Sequence, residues 1–394
     1  MDRAGLTPGA GRALGVLSLA LVLSMSTWFS ASAVIPQLRE EWSLSTSAGA
    51  WLTIAVQVGF VAGALLSSAL TLADVVPPHR VVFAGSVGAA AANALLLVAG
   101  GPEAAIPLRA ATGLFLAGVY PPALKLMATW FRQGRGAALG MVVGALTVGS
   151  ALPYLVNGAG GVDWRTVIVV TSVLTAAGGV LTLVAVPEGP YPFPRARFDP
   201  RQAPLVFANR GVRLASLGYF GHMWELYAMW AWFLIFARDT LFASVTSAAL
   251  FTFAVIGAGA VGCVAGGLLA DRLGRPVVAG ACMACSGACA LTIGLLPTTA
   301  ALVVGLVWGV TVVADSAQFS TMVTEHADQA YVGTALALQL AVGFTLSVAT
   351  IWLVPYAVEA VGWSWAFAFL AVGPALGIVA MLRLRCLDMA GAAV

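Results

Sequence analysis

The sequence predicts an all-α integral membrane protein in which twelve transmembrane helices form two pseudo-symmetric six-helix bundles. Of its 394 residues, 60% are hydrophobic and only 9% are charged, against roughly 25% charged in an ordinary soluble domain. Apolar runs of about 20 residues, enough to cross a bilayer, recur along the chain, and one long polar stretch divides them near the middle. This composition excludes soluble enzymes, nucleic-acid-binding proteins and disordered scaffolds.

Twelve apolar stretches lie between the charges, prolines and glycine-rich turns of the chain. Each is a continuous run without the two-residue alternation of a barrel strand, so we expect helices. No segment between them is long enough to fold as a separate soluble domain. The expected spans are residues 12–35, 48–72, 80–100, 105–130, 136–158, 166–186, 212–237, 246–270, 276–296, 299–322, 331–355 and 364–384.

The distribution of basic residues predicts the orientation, because cytoplasmic loops carry an excess of Lys and Arg. With the N-terminus inside, cytoplasmic segments hold all of the 19 basic residues except Arg39, Arg109, Arg165 and Arg238. We therefore expect a multi-pass protein of the cell (inner) membrane with both termini in the cytoplasm.

The longest polar stretch indicates where one bundle ends and the next begins. Residues 187–211 are rich in Pro and Arg and poor in apolar periodicity, as is typical of a linker. The N-terminal bundle is then residues 1–186, and the C-terminal bundle is residues 212–394.

The two halves also resemble each other in sequence. A shift of 197 residues places Asp74 on Asp271 and Gly136 on Gly333, and each pair stands at equivalent loops of the two halves. Internal repeats with a binding site between them are typical of secondary transporters.

The loop after the eighth span carries a specific motif. Residues 267–276 read GLLADRLGRP, which resembles the cytoplasmic G-x-x-x-D-R-x-G-R signature of the major facilitator superfamily. An Asp at a helix end, followed by Arg residues in a tight Gly turn, could tie neighbouring helix ends by charge pairs and act as a conformational latch. A loop that only sets topology would need the Arg residues alone. The latch candidates are Asp271, Arg272, Gly274 and Arg275, with Asp74 in the first-half loop, which lacks the Gly-Arg pair.

The fourth and fifth spans extend this resemblance. Arg109-x-x-x-Gly113 is similar to the start of the superfamily's fourth helix, and Gly140, Gly149 and Pro153 partly match its antiporter pattern. Small residues also simply let membrane helices pack closely. The resemblance covers the whole chain and implies a secondary transporter, not an enzyme, with a small-molecule substrate, one central site near the midplane and no cofactor.

Ionisable residues inside the spans are costly in a bilayer and usually face a cavity or a partner. Glu225 lies near the middle of span seven, His222 stands three residues earlier on the same helix face, and Asp315 lies in span ten. A buried carboxylate and an imidazole can exchange protons, so these three residues are the candidates for proton coupling. Asp315 could also bind a cationic group. The structural alternatives are that Glu225 hydrogen-bonds a neighbouring helix and that Asp315 pairs with a buried base.

Other polar and aromatic residues in the spans are candidates for substrate binding. Lys125, the only lysine, could offer a positive charge to an anionic substrate or extend to the cytoplasmic interface. Arg109 could bind substrate or pair with an acidic residue of the scaffold, and the uncharged polar residues could simply join helices. The full set of candidates is Arg109, Lys125, Gln57, Trp224, Tyr227, Gln318 and Ser30.

Two further chemistries are disfavoured by the sequence. Cys282, Cys285 and Cys289 share one face of span nine without a His or a carboxylate, which favours packing over a metal site. No phosphate-binding G-x-x-x-x-G-K-[ST] motif is present, which excludes transport driven by ATP bound to this chain. The sequence therefore favours proton-coupled transport of a small organic solute by a monomer in the lipid bilayer, without a nucleic-acid partner, a metal or a cofactor. Multidrug-type efflux by antiport is the alternative, and a solute sensor that binds without transport is a third hypothesis.

Overall fold

The computed structural model is helical along the residues it describes, which are 8–70, 72–131, 135–159, 162–191, 199–328 and 331–392. These residues include no β-strand. The helices of the first half are α1 (Ala10–Ser24), α2 (Ile35–Trp42), α3 (Thr46–Ala69), α4 (Leu72–Val75), α5 (Pro78–Ala94), α6 (Pro102–Leu116), α7 (Tyr120–Ala128), α8 (Arg135–Asn157) and α9 (Trp164–Ala185). Those of the second half are α10 (Ala203–Ala208), α11 (Arg210–Thr240), α12 (Val245–Leu273), α13 (Arg275–Thr292), α14 (Thr298–Ala314), α15 (Ser316–His326), α16 (Val332–Ala366) and α17 (Val372–Ala392).

The chain forms two compact units. The first consists of Met1–Arg195 and of Val245–Phe253 at the start of α12, and the second consists of Ala196–Ser244 and Ala254–Val394. In the first unit α3 packs on α6, α5 packs on α9, and α1 packs on α8 and α9. In the second unit α11 packs on α16 and α17, and α13 packs on α14 and α17. Each unit therefore has its own helical core.

Ten helical segments in the described part of the chain are long and apolar enough to cross a membrane. They correspond to the expected spans except the fourth and the seventh. The fourth is interrupted at residues 117–119, because Pro121 and Pro122 have no backbone N–H with which to continue α6. The seventh coincides with α11, whose 31 residues are long enough but include the charged residues Glu225 and Arg238. Hydropathy alone therefore recovers ten of the twelve expected spans.

Besides the fourth span, the first and the tenth are broken where apolar runs predict continuous helices. In the first, the α-helix ends at Ser24 and is followed by short 3-10 turns, Met25–Thr27 and Ser32–Val34. In the tenth, α14 ends and α15 begins on either side of Asp315. A helix break at membrane depth must have other groups to satisfy the released backbone atoms. Buried polar side chains are therefore expected to gather at these two places.

Polar contacts also tie α2 to the start of α9 in the first unit. The Arg165 guanidinium and the Trp164 indole both donate hydrogen bonds to the Glu41 carboxylate. The Arg165 hydrogen bond, with a smaller contribution from Trp164, holds the pKa of this carboxyl below its usual range. This cluster lies outside the apolar part of the first span.

One kind of close helix crossing repeats in the two units. In the first unit, a Cβ on Gly59 of α3 or Gly113 of α6 would overlap the backbone of the facing helix. In the second unit, Gly262 of α12 and Gly309 of α14 stand in the same relation. Small residues allow such an approach in a membrane, where packing drives helix association. Spans two and four thus pack as spans eight and ten do, which is the structural counterpart of the repeat in the sequence.

We expect Gly262→Ala to destabilise the second unit, because the new methyl group would overlap the carbonyl oxygen of Val310. The expected loss is about 3 kcal/mol in the free energy of unfolding, since a helix backbone yields less easily than a side chain. The matched control is Gly257→Ala on the same helix, where a Cβ meets nothing within 4 Å. Thermal unfolding in detergent compares the two variants, and equal melting temperatures would argue against this crossing.

Candidate functional site

A buried carboxylate lies in the middle of α11. Glu225 is 1% exposed, and both of its oxygen atoms accept hydrogen bonds. Ser286 Oγ on α13 donates to Oε2 at 2.7 Å, and Trp308 Nε1 on α14 donates to Oε1 at 2.7 Å. Ser286 Oγ also lies 3.3 Å from the carbonyl oxygen of Met283. Three helices of the second unit therefore meet at one carboxylate.

A second buried pair stands one helical turn away on α11. His222 Nδ1 lies 2.9 Å from Asp315 Oδ1, and both side chains are almost completely buried. The two atoms are as close as an ion pair but are not aligned for a hydrogen bond. The other imidazole nitrogen, His222 Nε2, has no hydrogen-bond partner in the described part of the chain. The imidazole ring packs against Tyr219 and Phe319. The break between α14 and α15 thus brings Asp315 to α11.

The signature loop forms the turn between α12 and α13. Gly274 has φ 90° and ψ 139°, a conformation that side chains disfavour and glycine allows. Arg275 Nε donates to Glu325 Oε1 at 2.9 Å, and Arg275 Nη1 donates to Gln318 Oε1 at 2.9 Å. The same Nη1 lies 3.6 Å from Asp271 Oδ1. One guanidinium therefore connects the end of α12 to α15.

Arg109 of α6 lies in the core of the first unit. Its side chain is fully buried, and no carboxylate forms an ion pair with it among the residues that the structure describes. The acceptors of its hydrogen bonds belong largely to the irregular part of the first span, where backbone carbonyl groups lack helical donors. Its partners are the carbonyl oxygens of Leu52, Thr27 and Trp28, with Ser30 Oγ and Asn93 Oδ1. The hydrogen bond to Trp28 is the shortest, and the other four are 3.0–3.2 Å long.

Three other substrate-binding candidates have different surroundings. Gln57 on α3 is fully buried, and neither its Oε1 nor its Nε2 has a hydrogen-bond partner among the described residues. Tyr227 is buried on α11 with its ring against Trp230 and Phe344. Lys125 is half-buried on α7. Of these three, Gln57 offers both a donor and an acceptor that no other described residue uses.

The remaining predicted site residues lie apart from Glu225 and its partners. The Trp224 indole donates to the carbonyl oxygen of Phe369 at 3.2 Å, and Gln318 belongs to the Arg275 cluster. Arg272 is exposed. Asp74 stands in α4, but its side chain lies outside the described residues. Gln318, which the sequence suggested as a substrate ligand, thus hydrogen-bonds to Arg275 of the signature loop.

Several partners in these clusters were not singled out by the sequence. Trp308 is an indole in an otherwise apolar helix, and a buried indole N–H usually requires an acceptor. Ser286 lies on the same face of α13 as the cysteines and was hidden among small residues. Glu325 and Asn93 looked like ordinary polar residues near span ends. For Trp308 and Ser286, the usable signal in the sequence was a polar atom within an apolar run.

The cysteines of span nine are not part of a cluster of metal ligands among the described residues. Cys289 is buried, Cys282 and Cys285 are half-buried, and all three are free thiols. In the part of the chain that the structure describes, no three His, Cys, Asp or Glu side chains are grouped so that they could hold a metal ion. On the face of α13 that carries these cysteines, Ser286 supplies the hydrogen bond to Glu225.

Comparison with known proteins places these clusters in a family context. A family model described as the Major Facilitator Superfamily matches residues 17–350. The fold is similar to the crystal structure of a bacterial homologue of the human lysosomal transporter Spinster in an inward-facing, unoccupied conformation. The TM-score is 0.67 over 96% of each chain, with 15% sequence identity, so this likeness concerns the fold.

Two curated relatives are described as transporters. The chain is 30% identical over 205 residues to a "Probable actinorhodin transporter" of Streptomyces coelicolor, covering 50% of this chain and 35% of that protein. It is 25% identical over 279 residues to a "Probable sulfoacetate transporter SauU" of Cupriavidus necator, covering 66% of this chain and 64% of that protein. These matches span less than two thirds of the length of either relative.

Proposed function

The chain belongs to the major facilitator superfamily, and on that basis we propose that it is a secondary active transporter of a small organic solute. It works by alternating access, and protons drive it through Glu225. The proposal includes twelve spans in two six-helix bundles, with both termini in the cytoplasm of a cell (inner) membrane. Ten apolar helices, the two more polar helical spans and the excess of basic residues on one side support this topology.

The observation that carries the proposal is the hydrogen bonding of Glu225. An indole N–H can only donate, whereas a serine hydroxyl can donate or accept. Ionised Glu225 accepts from both Trp308 and Ser286. Protonated on Oε2, it can donate to Ser286 Oγ, whose hydrogen then turns to the carbonyl oxygen of Met283. Neither state leaves an unpaired polar atom at this depth, so the carboxylate can gain and lose a proton without losing a hydrogen bond.

His222 and Asp315 extend this site along α11. His222 lies three residues before Glu225 and therefore on the same helix face. An imidazole can carry a proton on either nitrogen, and its Nε2 is without a partner among the described residues. The His222–Asp315 pair is accordingly the proposed acceptor for a proton that leaves Glu225.

Substrate binding is assigned to buried amide groups that have no hydrogen-bond partner among the residues described. Gln57 in the first unit and the Nε2 of Gln339 in the second have no hydrogen-bond partner among the described residues. A buried polar group left unpaired costs about 1–3 kcal/mol, so a solute with carbonyl or hydroxyl groups would gain affinity by bonding to either amide. Tyr227 and Lys125 stay candidates. Four other candidates form hydrogen bonds within their own units and are not proposed as substrate ligands: Arg109, Ser30, Trp224 and Gln318.

The proposed function is tested in two steps. Thermal unfolding of the purified protein is measured against carboxylates, sulfonates, sugars and aromatic natural products, because a bound ligand raises apparent stability. Each ligand found is then assayed in proteoliposomes with and without an imposed proton gradient. Accumulation that depends on the gradient supports the proposal. Binding without flux in either direction would instead indicate a sensor.

Multidrug-type efflux by proton antiport is the second candidate. The similarity to the probable actinorhodin transporter favours it, as does the partial antiporter pattern in α8. A Cβ on Gly149 of that pattern would lie 2.6 Å from the carbonyl oxygen of Val22 on α1, so this glycine allows a close crossing. An antiporter would export solute against an inward proton gradient, and chemically unrelated compounds would compete for transport.

Arg275 is expected to set the balance between conformations of the transporter. We expect Arg275→Gln to slow solute exchange, because it removes the ion pairs to Glu325 and Asp271 that connect α12 to α15. Losing about 1.4 kcal/mol of such contacts would shift a two-state equilibrium about tenfold. Exchange rates and the alkylation of engineered cysteines in proteoliposomes measure both effects.

The matched control for this latch is Arg385→Gln, since Arg385 is an exposed arginine of α17. The charge-swapped double variant Arg275→Glu with Glu325→Arg should restore part of the exchange rate. A latch role is excluded if Arg275→Gln exchanges solute as fast as the control, or if the swapped pair is no better than either single variant.

A further inference from the structure

A groove with a volume of about 450 Å³ runs along the second unit. Residues of α11 and α17 line it, together with Leu346 of α16. Gly221 and Gly373 hold α11 and α17 together at its base, because a Cβ on either would overlap the carbonyl oxygen of the other. The groove is therefore built into the packing of two long helices.

The groove is apolar except at one end. Its lining includes Leu217 and Leu376, which are 47% and 67% exposed. Among the described residues that line it, Arg383 alone is charged. Since Gly218 approaches Met381 while Gly221 approaches Gly373, α11 and α17 are antiparallel. Arg383 therefore stands at the end of the groove that begins with Leu214 on α11, and Trp224 stands at the other end.

The length of the groove matches one leaflet of a bilayer. From Leu214 to Trp224 the helix rises about 15 Å, which is half of the roughly 30 Å of hydrocarbon that a bilayer contains. Trp224 lies near the middle of α11, so in a bilayer that α11 spans, the groove would extend from about the midplane to the interface at the C-terminal end of α17. We propose that this groove binds an anionic phospholipid, with an acyl chain along α11 and the phosphate beside Arg383.

The chemistry of the groove favours a lipid over a water-soluble ligand. A guanidinium can donate two parallel hydrogen bonds to a phosphate, and basic pockets between membrane helices are typical sites for anionic lipid head groups. A small soluble anion would leave the exposed leucines and valines uncovered. Because Glu225 bonds to α13 and α14, away from this groove, the site stands whether or not proton coupling does.

Native mass spectrometry of the full chain in mild detergent tests the proposal. Phosphatidylglycerol should be retained more strongly than phosphatidylcholine with the same acyl chains. Arg383→Gln should lower retention of phosphatidylglycerol about fivefold, the loss expected when one hydrogen-bonded contact to the phosphate is removed. The control is Arg385→Gln, an exposed arginine two residues further on, which should leave retention unchanged. Inorganic phosphate should not displace the lipid.

A second pair of variants tests the apolar part. Leu376→Trp should fill the groove and expel the lipid, whereas Leu382→Trp, on an exposed position of α17 outside the groove, should not. Melting temperatures in lipid-free detergent check that both variants fold. The proposal is overturned if the two lipids are retained equally, if the Arg383 and Arg385 variants lose equal amounts, or if Leu376→Trp retains lipid as the wild type does.

Discussion

Glu225→Gln is expected to abolish proton-driven transport while solute exchange persists. The Gln side chain has almost the same size and can accept from Trp308 and donate to Ser286, as a protonated carboxylic acid would. It therefore fixes the site in one state and cannot release a proton. Accumulation under an imposed pH gradient should fall to the level of protein-free vesicles, whereas counterflow of labelled solute should continue.

The pH dependence of exchange gives a second measurement of the same substitution. Exchange by Glu225→Gln should lose the part of the wild-type pH response that depends on protonation of Glu225. Glu359→Gln, which changes an exposed carboxylate of α16, is the control and should transport normally. Gradient-driven accumulation at the wild-type level would refute the role of Glu225. Loss of exchange together with a lowered melting temperature would point to a structural carboxylate instead.

Composition and hydropathy predict most of the fold, because the signal for a span is an average over about 20 residues. The expected span 246–270 lies within Val245–Leu273, and ten segments keep enough apolar length. Hydropathy does not report where the backbone hydrogen-bond ladder stops. The break at Asp315 and the 3-10 turns after Ser24 therefore could not be predicted from apolar runs.

The site was predictable only along each helix. The spacing of His222 and Glu225 places both on one face of α11, which follows from helix geometry alone. Their partners come from distant segments: Ser286 is 61 residues and Trp308 is 83 residues from Glu225. No spacing rule in a single sequence reaches that far. The sequence therefore suggested which groups are ionisable at membrane depth and left their hydrogen-bond partners unknown.

Arg109 shows how a buried charge can act without a charged partner. Its donors reach three backbone carbonyl oxygens and two side-chain oxygens, and Thr27, Trp28 and Ser30 all belong to the broken part of the first span. The Thr27 carbonyl oxygen also accepts from Ser30 Oγ, so the guanidinium matters most for the Trp28 carbonyl group, which has no water to bond in a membrane. The cost of burying the charge is offset by the number of acceptors that it satisfies.

Arg109→Met is accordingly expected to lower the stability of the first unit by about 2–4 kcal/mol, because each buried acceptor left without a donor costs about 1–3 kcal/mol. Arg109→Lys should fall between, because a single ammonium group cannot reach separated acceptors as a planar guanidinium does. Melting temperatures without solute measure the effect. If Arg109→Met instead melted like the wild type and failed only to bind solute, the guanidinium would be a substrate ligand and the break in the first span would need another source of donors.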